Sequence, residues 1–389
     1  MSSQPAINPN LLDTATPPIP EAQAWARAYN GAAGPLIDLS QAVPGYPPHA
    51  ELLERLGRNA NAASSASYGP IEGDTVLRQA YAAHVSSLYG GKVDWQTVSI
   101  TTGCNQAFFV AALAVAKAGD SILLPSPWYF NHKMTLDMLG IEARALSCPP
   151  ENGFVPDVES AAELIDPTTR AILLVTPNNP TGAVYPPETI EAFARLCRDR
   201  GLFLILDETY RDFVTGRPHG LIASGDFDNT LIYLYSFSKS YCIPGHRLGA
   251  LVAAPAVAAE VGKVLDTLQI CAPRTAQAPV AWAIDGLTEW REANRLEIDR
   301  RAASFRAAFE GINGWRIDAM GAYFAFLHHP FHGHTAASVV KELVEKAGVL
   351  CLPGPYFGPG LEGHMRVAFA NAGVEQLQAL RERFQRFGG

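Results

Sequence analysis

Short runs rich in apolar and β-branched residues alternate along the first two thirds of the chain with longer segments of helical periodicity. The short runs predict buried strands at 98–101, 121–124, 141–146, 171–175, 202–206, 231–235 and 248–254. The segments between them predict helices at 74–89, 105–117, 131–139, 158–165 and 187–200. Since the central runs are apolar throughout, they suit strands covered on both faces. The pattern therefore predicts an α/β fold with a mostly parallel sheet and helices on both faces.

The pattern changes after residue 254, where helical periodicity dominates. Pro255 is well placed as the first residue of a helix. Helices are predicted at 255–268, 274–287, 289–311, 336–347 and 374–387, and strands at 323–327, 349–352 and 365–370. This part reads as a smaller α+β domain. We predict an N-terminal arm and loop at 1–45 that packs with the small domain, a large domain at 46–273 and the small domain at 274–389.

Composition narrows the possible functions. The chain has 389 residues, of which 48% are hydrophobic, so it can bury a large core. A formal net charge of −8 argues against a nucleic-acid partner, and no apolar stretch is long enough to span a bilayer. The N-terminus lacks the pattern of a signal peptide. Six scattered cysteines form no CxxC pair, so we expect no metal site, no disulfide framework and a cytoplasmic location.

The segment after the run 231–235 reads SFSKSYCIPGHRLG and contains one lysine and one arginine among hydroxyls. Lys239 has two interpretations. It could be a solvated loop lysine, or it could form a Schiff base with an aldehyde cofactor. In the second case, Arg247 would offer its planar fork to a phosphate. The position of Lys239 at the end of a predicted strand is compatible with both interpretations.

Polar strings follow other predicted strands, where ligands bind in open α/β sheets. The string TTGCNQA at 101–107 begins a helix and is either an anion site or a plain turn. The string TPNNPTG at 176–182 is a turn by composition. Asp207 ends an apolar strand, where a carboxylate is costly unless paired, so it caps a helix or binds a ring nitrogen. Arg366 lies inside an apolar strand and could pair with an acid or clamp a carboxylate.

Together these strings resemble the class I/II aminotransferases of fold type I, which use pyridoxal 5′-phosphate (PLP) and are typified by aspartate aminotransferase. The resemblance covers most of the chain from about residue 36. It implies that Lys239 carries the Schiff base and acts as a base. It implies that Asp207 keeps the cofactor's ring nitrogen protonated, while Tyr210 and Asn179 bind its phenolic oxygen. The residues implied for the phosphate are Gly103, Cys104, Asn105, Ser236, Ser238 and Arg247.

The resemblance also implies residues around the ring and the substrate. Tyr129 would stack on the ring, although a slip of one residue would put Trp128 there. Arg366, with Asn179, would hold the substrate carboxylate. The loop 40–45 departs from the family, which often has a glycine whose N–H meets that carboxylate, and the equivalent here is Ala42. Tyr68 would reach the cofactor of a partner subunit, which implies a homodimer with shared sites.

The function implied is transfer of an amino group from an L-amino acid to a 2-oxo acid. The same residues would serve a PLP-dependent carbon–sulfur lyase or an enzyme like aminocyclopropane-carboxylate synthase. A third alternative, a regulatory module that binds PLP without turnover, is disfavoured because no basic helix-turn-helix precedes residue 36. The sequence does not reveal the substrate side chain.

Overall fold

The computed structural model describes residues 6–225 and 229–387. Its helices are α1 (Pro9–Asp13), α2 (Ile19–Ala28), α3 (Ala50–Ala60), α4 (Thr75–Tyr89), α5 (Cys104–Val115), α6 (Phe130–Leu139), α7 (Val158–Leu164), α8 (Pro187–Arg200), α9 (Leu221–Ser224), α10 (Phe237–Ser240), α11 (Pro255–Gln269), α12 (Gln277–Gly286), α13 (Thr288–Phe309), α14 (Ala336–Glu342) and α15 (Val374–Phe387). Its strands are β1 (Ile37–Asp38), β2 (Val98–Thr101), β3 (Ser121–Ser126), β4 (Glu142–Ser147), β5 (Thr169–Val175), β6 (Phe203–Asp207), β7 (Leu231–Ser236), β8 (Gly249–Ala253), β9 (Arg316–Gly321), β10 (Phe324–His328), β11 (Val349–Leu350), β12 (Leu352–Pro353) and β13 (His364–Val367).

The larger sheet confirms the predicted α/β class. Its strand order is β2-β8-β7-β6-β5-β3-β4. Neighbours from β7 to β4 pair in parallel, whereas β8 runs antiparallel to both β2 and β7. The carboxyl ends of the parallel strands therefore meet at one edge, where the fold leaves room for a ligand.

Helices cover both faces of this sheet because its strands are apolar on both sides. Along β6, Leu204 and Leu206 pack into one core with α4, α8 and α12. Ile205, which points to the opposite face, packs with α5, α6 and α11. Burial on both faces explains why the central strands read as continuous apolar runs.

A second, antiparallel sheet has the order β12-β13-β10-β9 and packs with α13, α14 and α15. A π-helical turn at Leu343–Ala347 continues α14. The short strand β1 pairs in parallel with β11, so the N-terminal segment reaches this part of the molecule. The helix α12 packs on α3 and α4, and the division into domains at residues 45 and 273 stays a prediction.

Several elements were not predicted. The proline-rich N-terminus forms α1 and α2, which pack on α6 and on the π-helical turn, and α3 follows. The hairpin strand β9 was also missed, and the segment around Lys239 contains the four-residue helix α10. Within the described residues, no helix is long and apolar enough to cross a membrane.

Candidate active site

A cavity of about 290 Å³ lies at the carboxyl ends of the parallel strands. Most of the residues singled out in the sequence line it, although they come from distant parts of the chain. The predicted residues in its lining are Ala42, Cys104, Asn105, Tyr129, Asn179, Asp207, Tyr210, Ser236, Ser238, Lys239, Arg247 and Arg366. The other lining residues are Ile19, Gln41, Val43, Phe130, Val175, Thr209 and Pro244.

Lys239 lies on α10, which begins where β7 ends. The Ser236 side chain caps this helix by accepting a hydrogen bond from the Ser238 N–H at 3.2 Å. The Lys239 Nζ donates to the carbonyl of Ala42 at 2.6 Å. Burial, together with the positive charges of Arg366 and Arg247, lowers the pKa of Lys239 to about 8. A lysine with a lowered pKa has more of its amine in the neutral, nucleophilic form at physiological pH.

Asp207 is the one acid in the described lining of the cavity. Its Oδ1 accepts a hydrogen bond from the Thr209 N–H at 2.9 Å, and its Oδ2 lies 3.5 Å from His132 Nε2. Burial would raise the pKa of Asp207, but His132 and Thr209 outweigh burial and hold that pKa below its usual value. Asp207 therefore keeps a negative charge that faces the cavity.

Arg366 is 2% exposed on β13 and belongs to the same cavity. Its Nη1 donates to Asn179 Oδ1 at 2.9 Å, and its Nη2 donates to the carbonyl of Ser40. Its Nε is buried without a hydrogen-bond partner. Burial lowers the pKa of Arg366 to about 10, although Tyr210 and Tyr129 oppose the shift. The guanidinium thus meets neutral oxygens, and a carboxylate is the partner that it lacks.

The N-terminus of α5 forms another wall, at the end of β2. Gly103 caps this helix with a φ of +79°, and a Cβ there would collide with the guanidinium of Arg247. At Gly249, a Cβ would lie 2.8 Å from the backbone nitrogen of Cys104. Both positions therefore need glycine so that Arg247 and β8 can approach the helix. A helix N-terminus beside an arginine suits a phosphate group.

Of the two predicted aromatics, Tyr129 faces the cavity and Trp128 does not. Tyr129 OH accepts a hydrogen bond from Asn131 Nδ2 at 2.7 Å. Trp128 lines a second cavity of about 420 Å³. Tyr210 is buried, and its ring centroid lies 6.0 Å from Lys239 Nζ. Of the two aromatic residues, Tyr129 is therefore the one positioned to contact a planar ligand in the first cavity.

A network of paired charges lies behind Lys239. Asp212 Oδ2 accepts hydrogen bonds from Ser240 Oγ at 2.5 Å and from Tyr235 OH at 2.6 Å. Its Oδ1 lies 2.9 Å from Arg291 Nη1 on α13. Burial would raise the pKa of Asp212, but Arg291 and its other partners hold it below its usual value. This network ties the helix that carries Lys239 to α13.

Tyr68 lies outside the cavity of its own chain. Its side chain is 77% exposed on a loop that Arg274 holds through hydrogen bonds to the carbonyls of Ser64 at 2.7 Å and Ser67 at 3.3 Å. The Gly69 N–H also donates to Cys271 Sγ at 3.4 Å. Tyr68 is thus displayed outward from a loop that the rest of the chain holds in place.

Sequence reasoning missed His132, Thr209, Phe130 and the Asp212 network. His132 lies three residues after Tyr129 in the first turn of α6, and this spacing was a usable signal that its ring packs beside Tyr129, where it meets Asp207. The role expected for Ala42 was a backbone N–H toward the substrate. The structure brings Ala42 to the cavity, where its carbonyl accepts the hydrogen bond from Lys239.

The charges that line the cavity fit pyridoxal phosphate. Three cations, Lys239, Arg247 and Arg366, share the lining with a single acid. A phosphate at the α5 N-terminus and Arg247 would balance part of this positive charge. In this cavity the Lys239 amine would meet the aldehyde, and Asp207, the one acid in the described lining, would meet a protonated ring nitrogen.

Comparison with known proteins agrees with this geometry. The family model described as "Aminotransferase class I and II" matches residues 35–384. The chain is 30% identical to the valine–pyruvate aminotransferase of Mycobacterium tuberculosis, over 90% of each chain. It is 27% identical to an aromatic aminotransferase of Arabidopsis thaliana, over 90% of this chain and 89% of that one. A solved single mutant of the Thermus thermophilus aspartate aminotransferase superposes with a TM-score of 0.91 at 25% identity, over 99% of this chain and 100% of that one.

Proposed function

The chain belongs to the aminotransferases of class I and II, and from this premise we propose that it moves an amino group from an L-amino acid to a 2-oxo acid with pyridoxal phosphate held at Lys239. The observation that carries the proposal is the charge balance of the cavity. Three cations face one acid there, and Arg366 is buried against neutral oxygens. A phosphate and a carboxylate are the two anions that such a site needs.

Each residue has a distinct task in this proposal. Arg366 and Asn179 bind the substrate carboxylate and so place the Cα–H beside Lys239. The Lys239 Nζ, in its neutral form, takes up the Cα proton as a general base. Asp207, oriented by His132 and Thr209, holds a proton on the cofactor's ring nitrogen. When bound, pyridoxal phosphate supplies an aldehyde that forms an imine with amines and a ring that accepts the electron pair left on Cα.

The remaining cavity residues hold the cofactor in this proposal. The N-terminus of α5, with Cys104 and Asn105, would receive the phosphate together with Arg247. Ser236 and Ser238 line the same wall and offer hydroxyls to it. Tyr129 would lie against the ring, and Tyr210 would donate to the phenolic oxygen.

A half-reaction without a 2-oxo acid tests the function. Enzyme loaded with pyridoxal phosphate is mixed with an amino donor, and the cofactor and products are followed by absorbance and mass spectrometry. A transaminase accumulates pyridoxamine phosphate and releases one 2-oxo acid for each active site. Continued release of ammonia or a thiol, with the aldehyde form of the cofactor retained, would instead assign the chain to the lyases of this fold.

We also propose that the enzyme is a cytoplasmic homodimer. All six cysteines are free, which suits a reducing compartment. The outward display of Tyr68 on a fixed loop supports a role in the site of a second copy. Sedimentation gives the oligomeric state. Mixing Tyr68→Phe subunits with Lys239→Ala subunits should then restore activity, because one site of each mixed dimer would contain both native residues.

A further inference from the structure

The wall of the cavity that the proposed function leaves free carries no charge. Of the described lining residues, four are charged, namely Asp207, Lys239, Arg247 and Arg366. In the proposed function, each of the four has a partner. Asp207 meets the ring nitrogen, Lys239 the aldehyde, Arg247 the phosphate and Arg366 the substrate carboxylate. The rest of the wall is formed by uncharged residues, which are Ile19, Gln41, Ala42, Val43, Phe130, Val175 and Pro244.

The loop that contains Ser40 and Ala42 indicates where the substrate side chain goes. The Ser40 carbonyl meets Arg366, and the Ala42 carbonyl meets Lys239 Nζ at 2.6 Å. A substrate with its carboxylate on Arg366 and its Cα beside Lys239 therefore lies along this loop. In that position its side chain would face the remaining uncharged surface, which is apolar at Ile19, Val43 and Phe130.

Phe130 separates this surface from the second cavity. It is the one described residue that lines both cavities. It is mostly buried at the start of α6, and its ring centroid lies 5.0 Å from that of Tyr129 and 5.8 Å from that of Phe357. Pro18 lines the second cavity, and its neighbour in the sequence, Ile19, lines the first. Two aromatic neighbours thus hold Phe130 as a partition.

We propose that the enzyme prefers donors with neutral aliphatic side chains of leucine or methionine size, and that Phe130 sets the upper limit on side-chain length. This inference rests on the proposed function, because that function places the substrate's carboxylate at Arg366 and its amine near Lys239. A distal carboxylate or guanidinium would be desolvated beside Ile19, Val43 and Phe130 without a counter-charge. A side chain as large as that of tryptophan would meet the Phe130 ring.

A panel of donors in the half-reaction of the holoenzyme tests the substrate class. We expect kcat/KM for leucine and methionine to exceed that for alanine by at least about tenfold, because each added methylene in an apolar pocket contributes about 10- to 200-fold. We expect aspartate, glutamate and arginine to react at least about 100-fold less well than leucine. A preference for any of these three would overturn the inference while leaving the proposed function intact. If no donor forms pyridoxamine phosphate, the proposed function itself fails.

The role of Phe130 is tested by Phe130→Ala, with Met134→Ala as the matched control. Met134 lines only the second cavity, so its truncation enlarges that cavity and keeps the partition. Phe130→Ala should raise the ratio of kcat/KM for tryptophan over leucine by about tenfold or more, whereas Met134→Ala should change it less than twofold. Phe130→Leu keeps an apolar side chain, so it should raise the same ratio by a smaller factor. This variant replaces Phe130→Ala in the test if the alanine variant does not fold. An unchanged ratio in a Phe130 variant that binds the cofactor normally would overturn the assignment.

Discussion

Lys239 and Ser240 are neighbours on one short helix, but their side chains face regions that differ in charge balance, with an excess of cations on one side and a matched ion pair on the other. On the cavity side, Lys239, Arg247 and Arg366 share the lining with Asp207 alone. On the other side, Ser240 belongs to the network in which Arg291 is matched by Asp212. Burial lowers the pKa of Arg366 to about 10. For Arg291, burial acts in the same direction, but Tyr241 and Asp212 outweigh it and raise the pKa.

This difference separates charges that hold the fold from charges that await a ligand. A buried ion pair contributes little net stability, but breaking it leaves an uncompensated charge and is costly. A buried cation without an acid already carries that cost in the free protein, and only an anionic ligand relieves it. We therefore expect substitutions of the two arginines to have opposite profiles, with loss of stability on one side and loss of turnover on the other.

The largest effect is expected for Arg291→Leu. The substitution removes the guanidinium that pairs with the buried Asp212 carboxylate, so it should lower the free energy of unfolding by about 3–5 kcal/mol. Urea unfolding of the holoenzyme measures this loss. The double variant Arg291→Leu/Asp212→Leu should recover much of it, since it removes the stranded charge. A loss of less than about 1 kcal/mol in the single variant would show that the network is not a structural ion pair.

A smaller free-energy change, seen in turnover rather than in stability, is expected for Arg366→Leu. Loss of the carboxylate contact should cost about 2–4 kcal/mol of transition-state binding, which is about 30- to 1,000-fold in kcat/KM. The free energy of unfolding should fall by less than in Arg291→Leu, because the Asn179 and Ser40 oxygens lose a donor but no acid is left unpaired. Steady-state kinetics and urea unfolding on the same preparation measure both. Equal kcat/KM in the variant and native enzymes would exclude Arg366 as the carboxylate ligand.

The smallest effect is a shift in pH dependence. Only the neutral amine of Lys239 attacks an aldehyde, so capture of pyridoxal phosphate by apoenzyme should rise with pH and level off above about 8. An ordinary lysine would level off above about 10.4. Because the folded protein binds fewer protons than the unfolded chain between these values, this group also makes apoenzyme stability rise with pH there.

Arg366→Leu sharpens this test. It removes one of the positive charges that depress the pKa of Lys239, so it should move the inflection of the capture rate upward. Arg291→Leu is the control, since its charge is not among the causes of that shift. An inflection that stays near 10.4 in the native protein would contradict the described environment of Lys239.

The central strands and the site residues that directly follow them could be predicted from the sequence, because each is marked by a short local pattern. Strands buried on both faces read as apolar runs, and their ends are marked by residues such as Asp207 and Lys239 that are costly to bury without a partner. The antiparallel direction of β8 was not readable, because an apolar run has the same composition in either direction. The helices α1 and α2 depend on tertiary contacts, such as the 2.6 Å hydrogen bond from Tyr356 OH to Glu21, rather than on their own periodicity.

The missed site residues act through contacts between distant segments. His132 meets Asp207 only because α6 and the end of β6 converge in space. Phe130 looks like any apolar residue at the start of a helix, and its place between two cavities becomes visible only in three dimensions. Asp212 and Arg291 lie on elements that pack together behind Lys239, so neither was recognisable as half of a pair.

The central claim is that Lys239 is the residue that binds the cofactor covalently. Borohydride reduction of the holoenzyme fixes the cofactor to its lysine, and peptide mapping by mass spectrometry then locates the added mass. We predict that the label is found on the peptide that contains Lys239, in proportion to the activity lost. A label on another lysine, such as Lys133 in the second cavity, would contradict the account.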